Sequence, residues 1–86
     1  MTRIIITHRV EDIAKWKSFD GDRSTNMAAF AKDVFSFVEP QGSNSVAVSM
    51  TVTDMDGFTA FLQSETCDAI MRKHGVIKPV TMLTHT

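Results

Sequence analysis

Apolar and polar positions alternate with a period of two over four stretches of the chain, and recur at helical spacing between them. Residues 2–10, TRIIITHRV, place Ile4, Ile6, His8 and Val10 on one face and Ile5, Thr7 and Arg9 on the other, which predicts a first strand. Residues 33–39, DVFSFVE, predict a second, with Phe35 and Phe37 opposed to Val34, Ser36 and Val38. Residues 45–52, SVAVSMTV, carry the cleanest alternation: Val46, Val48, Met50 and Val52 against the small Ala47, Ser49 and Thr51. The turn residues Pro40 to Asn44 join these two strands as a hairpin. A last strand, PVTMLTHT, is expected to open at Pro79, with Val80 and Met82 opposed to Thr81, Leu83 and His85.

The stretch between the third and fourth strands, TDMDGFTAFLQSETCDAIMRKHG, predicts two consecutive short helices. Thr53 or Asp54 can cap the first, and Met55, Phe58, Phe61 and Leu62 form its apolar stripe. Ser64 caps the second, Cys67, Ile70, Met71 and His74 form the next stripe, and Gly75 supplies a left-handed stop. Residues 11–31 are expected to be helical from a cap at Asp12, with a break near Gly21 and a fresh cap among Ser24, Thr25 and Asn26. The order is then β-α-β-β-α-β, an α+β ferredoxin-like arrangement of one four-stranded antiparallel sheet with helices on one face.

Length and composition narrow the classes. The 86 residues suffice for one domain, 1–86. A domain of this size buries only roughly 60–65 per cent of what its unfolded chain exposes. The 9 basic and 10 acidic residues are scattered, so the electrostatic footprint of a nucleic-acid binder is missing. The strands expected at the sheet centre, the first and third, lack the base-stacking aromatics of RNA-binding domains of this topology. Ile4 to Ile6 is the longest early apolar run, too short for a membrane span or a signal core, and a single cysteine, Cys67, fits a reducing compartment. A soluble, cytoplasmic protein is expected. No C-x-x-C pair is present, and His8, His74 and His85 lack a ligand spacing, so neither a metal site nor a cofactor is expected.

The uncovered sheet face needs an explanation. A second copy of the same sheet would hide it, giving a homodimer, the commonest symmetric assembly. Ile5, Val34, Val38 and Leu83 are expected to be the apolar residues at that contact and count against a monomer with a merely polar face, which the small Ala47, Ser49 and Thr51 partly support.

The run VEDIAKWKSF, the hairpin, and VTDMDGFTAFLQSETCDAIMRKHGV together resemble small dimeric α+β barrel proteins of the antibiotic-biosynthesis-monooxygenase type, over nearly the whole chain. The resemblance implies a dimeric barrel with a pocket between sheet and helices. The group includes cofactor-independent monooxygenases, haem-degrading monooxygenases and members of unknown role, so it implies a fold more than a reaction. Its haem-degrading branch uses an asparagine in the first strand, a tryptophan in the first paired helix and a histidine in the second. By position these are His8, Phe61 and Met71 here, and none matches; His74 lies about one turn beyond Met71. The quinol-forming branch leans on Tyr, Trp and Asn, whereas this chain has no Tyr and one Trp, Trp16.

The candidate catalytic residue is His8, a proton acceptor near neutral pH if its strand face borders the pocket, and otherwise a strand-end histidine bonded to backbone or water. Trp16, Phe58, Phe61, Met71 and His74 are the candidate ligand-binding set, each with a core-packing alternative, since apolar stripes at helical spacing are core first. Cys67 near a helix start has the position of a lowered thiol pKa but no basic neighbour in sequence, which favours a structural thiol. Three functions follow: a homodimeric binder of a small apolar or aromatic molecule, a cofactor-independent monooxygenase acting on a phenol or quinol, or a structural or partner-binding subunit without a ligand.

Overall fold

A computed structural model describes residues 2–86. The elements run β1 (Thr2–Val10), α1 (Ile13–Ser18), α2 (Asp20–Met27), β2 (Ala31–Val38), β3 (Ser45–Val52), α3 (Met55–Leu62), α4 (Glu65–Lys73) and β4 (Val76–Thr84). The four strands form one antiparallel sheet in the order β2-β3-β1-β4. This is the ferredoxin-like α+β architecture, with each helical connection split in two.

Register decides which residues meet. Ile4, Ile6 and His8 pair with Met50, Val48 and Val46, so the aliphatic faces of β1 and β3 coincide. That face takes the helices: Ile4, Val10, Val46, Val48, Met50 and Val52 are buried with Trp16 of α1 and Phe58 of α3. The caps follow the sequence. Asp12 accepts from the Lys15 amide, Asp54 from the Gly57 amide at 3.1 Å, and Ser64 from the Cys67 amide at 3.1 Å. These satisfy amides that a helix start leaves orphaned. Gly75 has φ +74 at the end of α4, the left-handed stop that glycine permits without strain.

Three expectations need correction. The break in the first helical connection falls at Phe19, not Gly21; Ser24, Thr25 and Asn26 lie inside α2 rather than capping it. The half-buried Phe19 ring stacks on His74, and Asp20 and Asp22 supply the acidic first turn that suits a helix start. Next, β4 begins at Val76, and Pro79 lies within it, where the β1–β4 register shifts opposite His8. An edge strand tolerates proline because one row of its amides pairs with nothing.

The third correction concerns the uncovered face. Phe35 and Phe37 pair with Ser49 and Ala47, while Val38 pairs with Val46 and Val34 packs on the core. The uncovered side therefore carries Phe35 and Phe37, at 55 and 52 per cent exposure, beside Ile5 and Leu83, and not Val34 and Val38. A bulge sets this parity: the β2–β3 register shifts between Lys32 and Phe35, around Asp33 at φ 53.

Candidate functional site

The helices do not close fully on the sheet. A cavity of about 90 Å³ remains between them, walled by Ile6, Val48 and Met50 from the sheet and by Trp16, Met27, Phe61, Leu62 and Met71 from the helices. Among the side chains expected to form a site, His8, Trp16, Phe61, Met71 and His74 all border it. Phe58 does not: it is fully buried, 6.4 Å from the Phe30 ring, and serves the core. Met55, on the same expected stripe, is exposed.

Polar atoms converge on this apolar space. His8 projects from β1 with its Nδ1 3.1 Å from the Arg9 carbonyl oxygen. A carbonyl only accepts, so the contact places the proton on Nδ1 and leaves Nε2 as a proton acceptor. Its ring meets the Trp16 ring edge-on at 6.1 Å. Burial pushes the His8 imidazole below its ordinary 6.5, the Arg9 carbonyl opposes this, and the charge of Arg23 adds to the lowering.

Arg23 escaped the sequence reading, and the structure puts it at the centre. Its guanidinium carbon lies 3.9 Å from the Trp16 ring centroid, its Nη1 donates to the Trp16 carbonyl at 2.9 Å, and its Nε donates to Ser36 Oγ at 3.1 Å. Ser36 Oγ donates in turn to Asp20 at 2.6 Å, while Asp20 stands 3.9 Å from Arg23 Nη2, beyond hydrogen-bond reach. Arg23 Nη2 is thus buried without a hydrogen-bond partner in a side chain only 7 per cent exposed, its ion-pair contact with Asp20 aside. The one signal for it in sequence is a charged residue on a short polar helix, which ordinarily means a solvated face.

His74 ends α4 at 3 per cent exposure, its ring stacked on Phe19 at 4.4 Å with 7° between planes. Its Nε2 is likewise buried and unpartnered. Burial lowers its pKa from 6.5, Arg23 and Lys73 push the same way, and Asp22 opposes them. Cys67 also borders the cavity, but burial, with Asp68, raises its thiol pKa against the pull of Lys78, so it is a packed thiol and not an activated one.

The cavity wall therefore holds two imidazoles held toward the neutral form, one fixed cation and no carboxylate. Such a site can accept a proton at His8 and can bind acceptor oxygens at Arg23 and His74. Among the described residues no cluster of three His, Cys, Asp or Glu side chains could hold a metal ion, and no helix is long and apolar enough to cross a membrane.

No protein-family profile matches the chain, and no curated protein matches it in sequence. Solved structures do match in fold. A candidate antibiotic biosynthesis monooxygenase of Caulobacter crescentus superposes with a TM-score of 0.72 at 10% identity, over 98% of this chain and 86% of that one. SnoaB, a cofactor-independent oxygenase from Streptomyces nogalater, superposes with a TM-score of 0.69 at 15% identity, over 99% and 92%. A candidate antibiotic biosynthesis monooxygenase of Deinococcus radiodurans gives 0.66 at 4% identity, over 100% and 91%. The fold is thus the one the sequence resemblance implies; identities this low carry the fold and not the chemistry.

Proposed function

We propose that this protein is a homodimeric small-molecule-binding protein that takes a small apolar or aromatic ligand into the space between helices and sheet. The cavity carries the reading: it is mainly apolar, with a few convergent polar groups, the usual make-up of a ligand site. Its 90 Å³ is below the about 150 Å³ that admits benzene. A ring enters when Met27 or Met71 swings aside, and unbranched methionines do this at little cost. Phe35, Phe37, Ile5 and Leu83 are exposed together on the uncovered face, and a second copy packed there would bury them. Trp16, the only tryptophan, reports binding directly. Titration with a panel of short-chain and aromatic metabolites should change its emission saturably, and an unchanged emission with all of them would sink the proposal.

A second reading is a cofactor-independent monooxygenase acting on a phenol or quinol. It is supported by His8, whose Nδ1 contact leaves Nε2 to accept a proton and which borders a cavity with aromatic walls, and by the fold shared with SnoaB. His8 would take the phenolic proton; dioxygen then places one oxygen on the ring, and the other leaves as water as the ring becomes a quinone. Oxygen uptake with a hydroquinone panel, abolished in His8→Ala, is the expected result, and no uptake with any member would remove this reading.

A further inference from the structure

Two residues of the cavity wall, each more than nine-tenths buried, carry a buried polar atom without a hydrogen-bond partner: Arg23 at Nη2 and His74 at Nε2. A buried donor left unmade costs on the order of 1–3 kcal/mol, more when charged, so such atoms in a stable fold point to an absent partner. Nε and Nη1 of Arg23 donate to Ser36 and to the Trp16 carbonyl, which fixes the guanidinium. Asp20, which accepts from Ser36, forms an ion pair with Nη2 at 3.9 Å, too long to satisfy its N–H, and lies outside the cavity wall. The wall has no carboxylate, and its single fixed charge is positive.

We infer that the ligand is a small monocarboxylate, its two oxygens held by Arg23 and His74 and its carbon body lying against Trp16, Phe61 and Met71. This rests on the binding reading above and supplies its ligand class. A carboxylate fits because a guanidinium N–H and an imidazole N–H together offer one donor for each oxygen. One charge fits because Arg23 is the one fixed cation among the described residues of the wall; a phosphate dianion would leave a buried charge unmatched. An apolar body fits because every other wall is aliphatic, aromatic or sulfur-bearing save His8 and Asn26.

The test pairs each acid with its neutral isostere: butyrate with butyramide and benzoate with benzamide, titrated by calorimetry and Trp16 emission at neutral pH. At least a tenfold preference for the acid is expected within each pair. Arg23→Gln should abolish the preference, and Arg23→Lys should keep most of it. The wild-type comparison stands even if Arg23→Gln fails to fold. Equal affinity for acid and amide overturns the carboxylate assignment and leaves the binding proposal intact. Tighter binding of inorganic phosphate than of either acid overturns it too. No binding of any probe by any readout removes the binding proposal and this inference together.

Discussion

Arg23 grips Trp16 twice, stacking its guanidinium on the indole at 3.9 Å while bonding the carbonyl of the same residue at 2.9 Å. Backbone and side chain of α1 are thereby tied to α2 by a single side chain. A buried cation–π contact contributes about 2 kcal/mol and a charged hydrogen bond about 1.5–3 kcal/mol. Arg23→Met keeps much of the volume and loses both, together with the cost of burying the guanidinium. A net loss of about 2 kcal/mol in denaturant unfolding is expected, with red-shifted Trp16 emission as water reaches the ring.

The two cavity histidines set a pH dependence. Both have folded pKa values below the ordinary 6.5, so the unfolded chain binds more protons in that window and stability rises with pH. Their contribution is fully present above 6.5 and is lost as pH falls through the lowered folded values. Arg23, Lys73 and Asp22 face His74 and set the balance of its shift. His74→Phe keeps a ring against Phe19 and removes the titration. The slope of the denaturation midpoint below neutral pH should shrink in this variant and flatten when His8→Gln is added. An undiminished slope in the double variant would place the effect elsewhere.

Two glycines should respond to alanine with opposite signs. Gly21 lies exposed in α2 with nothing within 4 Å of an added Cβ, so Gly21→Ala should stabilise by about 0.5–1 kcal/mol. At Gly57 a Cβ would stand 2.5 Å from Asp54 Oδ2 and 3.3 Å from the Phe30 ring. Gly57→Ala displaces the carboxylate that caps α3, and a loss of about 1 kcal/mol is expected. Thermal melts of the two variants measure both.

The uncovered face supplies a test of assembly. Phe35→Asp with Phe37→Asp places two carboxylates where two sheets would meet, yet replaces no buried residue. The native protein should sediment at twice 9.6 kDa and the double variant at 9.6 kDa, with unchanged circular dichroism. A native chain that sediments at 9.6 kDa over the working concentration range rules out the homodimer.

The order of elements, the hairpin and the caps at Asp12, Asp54 and Ser64 were legible in the chain because each depends on neighbours within a few residues. The apolar stripes also placed His8, Trp16, Phe61, Met71 and His74 on faces that turned out to border one cavity. Phe58 sits on the same stripe and went to the core, since spacing alone does not say where a helix lifts off its sheet. The uncovered face was misread at Val34 and Val38, because strand parity is local but the choice of face is set by pairing with β3 and by the bulge at Asp33. Arg23 was illegible for a stronger reason: its burial, its hold on Trp16 and its unpartnered Nη2 arise only when α1, α2 and β2 converge. Local chemistry written along the chain thus determined the elements, while packing between distant segments decided which charged side chain faces the cavity.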